Sequence, residues 1–167
     1  MAYPAPIPVI EKPDLSIIVP VFQESRTLPP LFLMLSKQEQ VSFELLLADG
    51  GSSDDTVEKA VLLQKKYPFQ TRVLNSKKGR GRQMNTAGNV AKADTLLFLH
   101  ADSFFLSPLA LFQGLRELEN AMSASLARDI AGRFSLSFHH EAEYTLSEKL
   151  SLAYYYYENK AHLNRTE

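Results

Sequence analysis

The chain has 167 residues, a length that predicts one domain with a sizeable buried core. Its composition is 45% hydrophobic and 22% charged, which is ordinary for a globular protein. The formal net charge of -1 argues against a nucleic-acid binder that depends on bulk positive charge, and the absence of cysteine excludes disulfides and thiolate metal sites.

The first thirteen residues, MAYPAPIPVIEKP, contain four prolines and no cationic start before an apolar run. They predict an irregular arm over residues 1–13 and no signal peptide. No stretch approaches the roughly 18 apolar residues of a membrane-spanning helix, so any membrane contact is expected to be peripheral. A chain without cysteine suits a reducing compartment, and a cytoplasmic location is expected.

Residues 14–167 are predicted to form a single domain in which strands and helices alternate. Four apolar runs predict strands: LSIIVPVF (15–22), FELLLAD (43–49), FQTRVLNS (69–76) and DTLLFLHAD (94–102). The segments between them predict helices, with Thr27 or Ser25 capping the first and Ser53 or Asp54 capping the second. In the second helix the inner stripe is expected to be Val57, Val61 and Leu62.

A fourth helix is predicted to start at Ser107 and Pro108, and its inward residues are expected to be Leu111, Leu115 and Leu118. Alternation over Asp129–His139 predicts a further strand, and the last stretch is predicted to be helical through about Asn164. The β-α-β alternation predicts an α/β fold with a mainly parallel sheet and helices on both faces. The apolar fourth strand is accordingly expected to be covered on both sides.

Ligands of open α/β sheets bind beyond the carboxyl ends of the strands, and three of the predicted strand ends carry unusual residues. These are Pro20, Phe22 and Glu24 on the first strand, Asp49 and Gly50 on the second, and His100 and Asp102 on the fourth. A basic, glycine-broken loop, KKGRGRQMN, precedes the third helix and brings Arg80 and Arg82. Arginines grip phosphate oxygens bidentately, so this loop is expected to bind an anion.

Each of these residues also has a purely structural interpretation. Asp49 before two glycines can form an Asx-turn, Asp54 is more typical of a helix cap than of a ligand, and His100 alone favours a satisfied buried histidine. The basic loop alone favours a solvated charge run. Asp102, directly after a mostly apolar run, needs a partner, either a divalent cation or the start of the next helix.

Four segments in this order and spacing resemble family 2 glycosyltransferases with a GT-A fold: SIIVPVFQE, LLLADGGSSDDT, GRGRQMNTAG and LFLHADS. They extend from about Leu15 to Ser107. The pairing of ADGGSSDDT with HADS is similar to a bacterial subgroup described as radical-SAM/selenodomain-associated transferases. The resemblance implies transfer of a sugar from a nucleotide-diphosphate sugar, with a UDP-sugar favoured, and Mn²⁺ or Mg²⁺ as the cofactor.

The resemblance also assigns roles along the chain. It implies that Pro20, Phe22 and Glu24 cradle the nucleoside and that Asp49 contacts the base. Arg80 or Arg82 would lie near the diphosphate, and His100-Ala101-Asp102 occupies the family's D-x-D position, with Asp102 as the metal ligand. His100 stands where the motif has its first aspartate. In the family a carboxylate at this position normally contacts the ribose, so this chain departs from the pattern. Ala48 likewise stands where many members have an aspartate.

The family's acidic general base and much of its acceptor site are expected in a later segment, so the chain is interpreted as C-terminally truncated and as carrying the donor-binding half. A homodimer through the last helix is expected if a sheet edge is left exposed. The alternative is a catalytically incompetent nucleotide-binding or interaction domain of the same fold. A nucleotidyltransferase ranks last, because no glycine-rich basic loop follows the first strand.

Overall fold

The structure, a computed structural model, describes residues 11–124 and 130–134. By its contacts the chain divides into two units, Met1–Gly132 and Arg133–Glu167, and every described strand and helix belongs to the first. The elements in chain order are β1 (Leu15–Val21), α1 (Leu28–Leu35), β2 (Phe43–Asp49), α2 (Thr56–Lys66), β3 (Gln70–Asn75), α3 (Arg80–Gly88), β4 (Leu96–Phe98) and α4 (Ala110–Ala124).

The described strands form one fully parallel sheet in the order β3-β2-β1-β4. β1 therefore lies in the interior, with β2 on one side and β4 on the other. The register places Val21 opposite Asp49, so β1 and β2 end at the same level. Parallel strands joined through helices are the arrangement that the β-α-β pattern predicts, and the mainly parallel α/β fold is confirmed.

Helices cover both faces of the sheet, but unequally. On one face β1 contributes alternate residues to a large cluster that also holds residues of α1, of α2 and of α4: Leu15, Ile17, Val19, Val21, Leu28, Leu31, Phe32, Leu35, Ala60 and Leu111. The other face carries a small cluster of Ile18, Leu46, Ala48 and Ala87, to which α3 contributes the buried Ala87. The period-two alternation of β1 thus divides its side chains between two cores.

The second helix differs from its prediction. Val61 and Leu62 are 41% and 65% exposed, whereas Thr56 and Ala60 are buried. Leu63 packs partly buried against the large cluster, so the inner face follows the spacing of Thr56, Ala60 and Leu63. The prediction that Val61 and Leu62 face the core was wrong, because the buried face is the one that carries Thr56, Ala60 and Leu63, and Val61 and Leu62 point away from it.

The fourth strand is shorter and more exposed than predicted. Strand β4 covers Leu96–Phe98, and Leu96 and Phe98 are 39% and 47% exposed. Leu97 packs against the large cluster, which places its two neighbours on the opposite face. The expectation that both faces of β4 are covered was wrong. The strand forms an edge of the described sheet, and Leu96 and Phe98 lie on the face that carries the smaller cluster.

The helix starts were predicted to within a few residues. Thr27 stands at the N-cap of α1, but its hydroxyl donates to the Glu24 carbonyl and carboxylate instead of capping the helix. The N-cap of α2 is Asp55, one residue after the predicted Asp54, and it makes no side-chain capping bond; Asp54 instead accepts hydrogen bonds from the Thr56 amide and hydroxyl. The Thr56 hydroxyl is the main cause that lowers the pKa of Asp54.

The fourth helix begins at Ala110, just after the predicted start. Leu111 is fully buried and Leu115 packs partly buried against the large cluster, as predicted. The predicted strand Asp129–His139 lies mostly outside the described residues, and its described part, 130–134, is not in a strand. The predicted last helix and the arm over 1–10 also lie outside them.

Candidate functional site

A cleft of about 280 Å³ opens at the carboxyl ends of β1 and β4. The chain order of the sheet reverses between these two strands, and such a switch point is where open α/β sheets bind ligands. The cleft is lined by Pro20, Val21, Phe22, Glu24, Arg80, Gln83, His100, Ala101 and Asp102. The structure thus brings six of the nine predicted site residues to one cleft, and Asp49, Gly50 and Arg82 are not in its lining.

The loop after β1 is held in place by side chains of the loop after β2 and of the start of α2. Gln23 has a φ of 59°, in the left-handed region, and its amide donates to the Ser52 hydroxyl at 2.9 Å. The Glu24 amide donates to the Thr56 hydroxyl, also at 2.9 Å. These two bonds offset the strain of the turn and fix the backbone that carries Phe22 and Glu24 into the cleft.

Asp49 is 7% exposed, and its carboxylate binds its own loop. It accepts hydrogen bonds from the Gly51 amide at 3.0 Å and from the Ser52 amide and hydroxyl, the latter at 2.6 Å. These bonds form the Asx-turn that the purely structural interpretation of Asp49 predicts. Since Ser52 in turn accepts from the Gln23 amide, Asp49 is linked to the loop after β1 through Ser52.

The basic loop delivers one arginine to the cleft. Arg80 is the first residue of α3 and lines the cleft, whereas Arg82, two residues later, does not. Gly79, just before the helix, has a φ of 132°, which side-chain-bearing residues rarely adopt. The Lys78 ammonium lies 3.7 Å from the centroid of the Phe22 ring, so this loop also contacts the first strand end through a cation–π interaction.

The end of β4 places the histidine and the aspartate on the opposite wall. The Leu99 amide donates to the Ile18 carbonyl at 2.9 Å, which continues the pairing with β1 just past the strand. His100 and Asp102 are exposed to solvent, while Ala101 between them is buried. The structural interpretation of His100 as a buried histidine is therefore wrong, and Asp102 does not cap α4 because α4 begins only at Ala110.

Gln83 is a site residue that the sequence analysis missed. It is 4% exposed, lines the cleft, and donates from Nε2 to the Val21 carbonyl at 2.8 Å and to the Ala48 carbonyl at 2.7 Å. Its spacing of four residues from the buried Ala87 is the signal that could have placed it on the sheet-facing side of α3.

A comparison of the sequence with protein-family models identifies the family of this chain. Residues 16–164 match the family described as glycosyl transferase family 2. The chain belongs to glycosyl transferase family 2. An uncharacterized glycosyltransferase of Haemophilus influenzae is 30% identical over 94 residues, which cover 55% of this chain and 30% of that protein. This family 2 chain therefore spans about 30% of the length of that relative.

Two solved structures share the fold of this family 2 chain. Staphylococcus aureus TarS 1–349, in complex with UDP, superposes with a TM-score of 0.55 at 20% identity over 64% of this chain and 32% of that one. The mannosyltransferase PcManGT from Pyrobaculum calidifontis, in complex with GDP-Man and Mn²⁺, gives 0.53 at 20% identity over 58% and 30%. The predicted family and GT-A fold are confirmed, and the radical-SAM-associated subgroup stays a prediction.

Among the described residues, no helix is both long and apolar enough to cross a membrane. Within the same part of the chain, no group of three or more His, Cys, Asp or Glu side chains forms a ready metal cage. Asp102 with His100 beside it is thus a sparse donor set. Such a set fits Mg²⁺ or Mn²⁺ that is shared with substrate phosphates, because these ions are commonly held by one or two carboxylates plus phosphate and water.

Proposed function

We propose that this chain holds the donor-binding half of a glycosyltransferase that moves a sugar from a nucleotide-diphosphate sugar to an acceptor hydroxyl. The observation that carries the proposal is the cleft in which an aromatic ring, an arginine and an aspartate converge at the switch point of the sheet. Membership of family 2 supports it. So do the UDP and the GDP-Man named with the two structures of the same fold.

In this proposal the nucleoside lies against the loop after β1. Phe22 offers a half-buried ring for the base, and Pro20 and Glu24 form the adjoining wall. The Glu24 carboxylate already accepts the Thr27 hydroxyl at 2.7 Å, which holds one of its oxygens and leaves the other for a ribose or base donor. His100 provides the polar group on the side of β4.

The diphosphate would lie between Arg80 and Asp102. Arg80 stands on the first turn of α3, where the helix dipole and free backbone amides add to the attraction for an anion. Asp102 and the diphosphate oxygens would hold the cation, which neutralises charge on the leaving diphosphate. A UDP-sugar is the favoured donor class. Asp49 and Gly50 would act beneath the base through the turn that they build, and Arg82 from the outer rim.

The reaction breaks the bond between the anomeric carbon and the diphosphate oxygen and forms a bond from that carbon to the acceptor oxygen. The acceptor hydroxyl must lose its proton to a general base as the new bond forms. The described residues hold the donor and its leaving group, and the base and the acceptor site are proposed to lie outside the cleft described here. Homodimer formation and peripheral membrane contact stay predictions.

Calorimetric titration tests the proposal. UDP, GDP and their sugar conjugates are titrated into the chain with and without Mn²⁺, and UDP is expected to bind more tightly with the metal present. Asp102→Ala should bind UDP with the same affinity whether or not Mn²⁺ is added. Asp94→Ala is the matched control, because Asp94 lies just before the other end of β4 and pairs with Lys12 at the surface.

Two outcomes would contradict the assignment. If no nucleotide binds, the donor role is wrong. If UDP binding gains nothing from the metal in the unaltered chain, Asp102 is not a metal ligand. Nucleotide binding with neither sugar transfer nor hydrolysis of the donor would favour the incompetent binding domain instead.

A further inference from the structure

The Gln83 amide makes three hydrogen bonds, all of them to backbone groups. Both Nε2 hydrogens are donated, to the carbonyls of Val21 and Ala48, and Oε1 accepts the Gly79 amide at 3.3 Å. The side chain is 4% exposed although it comes from the first turn of a helix. A buried amide whose donors and acceptor are all satisfied is rigidly held and expensive to disturb.

The three partners of Gln83 belong to three different strand ends or loops of the site. Val21 directly precedes Phe22, Ala48 directly precedes Asp49 at the end of β2, and Gly79 directly precedes Arg80. One side chain thus joins the end of β1, the end of β2 and the start of α3. No other described side chain is seen to bond to all three.

Gly50 lies close to the same amide. A Cβ atom built on Gly50 would lie 3.1 Å from Nε2 and 3.2 Å from Cδ of Gln83, tighter than ordinary side-chain contacts. Gly50 has no positive φ, so its lack of a side chain is explained by this close approach. A side chain at residue 50 would therefore require the Gln83 amide to shift by a few tenths of an ångström.

We infer that Gln83 is a positioning residue that fixes the separation between the nucleoside side of the cleft, at Phe22, and the phosphate side, at Arg80. This inference rests on the proposed function. A ligand that reaches both sides gains affinity from their preset spacing, because the second contact then costs little further ordering. A ligand that reaches only one side gains nothing from that spacing.

The test compares uridine, inorganic pyrophosphate and UDP, each with the full chain and with Gln83→Met, which keeps the length and loses the hydrogen bonds. Ligand-observed NMR measures the weak single-side ligands and calorimetry measures UDP. Uridine and pyrophosphate are expected to bind Gln83→Met within about twofold of the unaltered chain, whereas UDP should lose about tenfold or more. A purely structural role would instead lower all three affinities together, or none.

A second route leaves Gln83 in place. Gly50→Ala should show the same selective loss for UDP, because the added methyl displaces the Gln83 amide. In a Gln83→Ser background, where the amide is gone, Gly50→Ala should cause little further loss, so the two changes are strongly non-additive. Gly81→Ala is the matched control, since a Cβ at Gly81 on the same helix meets nothing within 4 Å.

The outcomes separate the two proposals. Failure of the unaltered chain to bind UDP contradicts the proposed function. If the unaltered chain binds UDP, then an unchanged UDP affinity in Gln83→Met, equal losses for all three ligands, or additive effects of the two substitutions would overturn the positioning role. Urea unfolding of each variant confirms that the folded protein is compared, and Gly50→Ala keeps the inference testable if Gln83→Met does not fold.

Discussion

Two buried threonines should respond to the same substitution with opposite signs. Thr71 on β3 is 4% exposed, and its hydroxyl has no hydrogen-bond partner among the described residues. Thr56 at the start of α2 is 1% exposed, and its hydroxyl accepts the Glu24 amide and donates to Asp54. Valine has nearly the shape of threonine and replaces the hydroxyl by a methyl group.

The expected magnitudes follow from these contacts. An unsatisfied buried hydroxyl costs about 1–3 kcal/mol, so Thr71→Val should raise the free energy of unfolding by about 1 kcal/mol, at the low end because a hydroxyl can rotate. Thr56→Val loses two hydrogen bonds, one of them to a carboxylate, and should lower it by about 2–3 kcal/mol. Thr71→Ser keeps the hydroxyl and loses a methyl, and should lower it by about 1 kcal/mol.

Urea unfolding measures these changes. With a slope of about 2 kcal/mol per M, Thr71→Val should move the midpoint up by about 0.5 M with the slope unchanged. A midpoint that falls in both valine variants would refute the reasoning, because it would mean that the Thr71 hydroxyl is satisfied in the folded chain. A change of slope would instead indicate an altered unfolded state.

Two further predictions concern the site and the acid stability. Lys78→Met removes the ammonium from the Phe22 ring and should weaken the binding of uridine and of UDP equally, by about two- to fivefold. Lys78→Arg should leave both affinities unchanged. A loss of affinity for UDP alone would mean that Lys78 contacts phosphate. Asp14 accepts the hydroxyl and the amide of Ser42, and these bonds lower its pKa. Its contribution to stability is therefore present above the unfolded pKa of about 4 and is lost as the pH falls through the lower folded pKa. Ser42→Ala should shrink this acid-side loss in urea titrations from pH 6 to 2, and an unchanged pH profile would contradict the assignment.

The sequence predicted the parallel sheet well because its interior strands are dense apolar runs with sharp ends. FELLLAD was predicted as a strand over Phe43–Asp49, and the structure has the same bounds. The same logic failed for α2, where Val61 and Leu62 were expected inside. Hydrophobicity marks the side chains that can be buried but does not decide which face of a helix meets the core, and in α2 that face carries Ala60.

The cleft was predicted in part for a related reason. Residues directly at strand ends, such as Phe22 and Asp102, can be located from the order of the strands alone. Gln83 could not, because its role depends on three chain segments meeting at one point. Asp49 shows the remaining ambiguity: an aspartate before two glycines suits both a ligand contact and a turn, and only the hydrogen bonds to Gly51 and Ser52 reveal the turn.

The unequal covering of the sheet has a consequence for motion. In the described part of the chain, α3 rests on a small cluster whose buried members include two alanines, Ala48 and Ala87, while the helices opposite share a core several times larger. Local opening is easier where less apolar surface is buried, so α3 has a smaller reserve against fluctuation than α1, which packs five buried residues on the opposite face. An anion bound at the first turn of α3 would therefore reduce the fluctuation of the helix that binds it. The rigidity of α3 would then rise with the fraction of chains that hold a ligand.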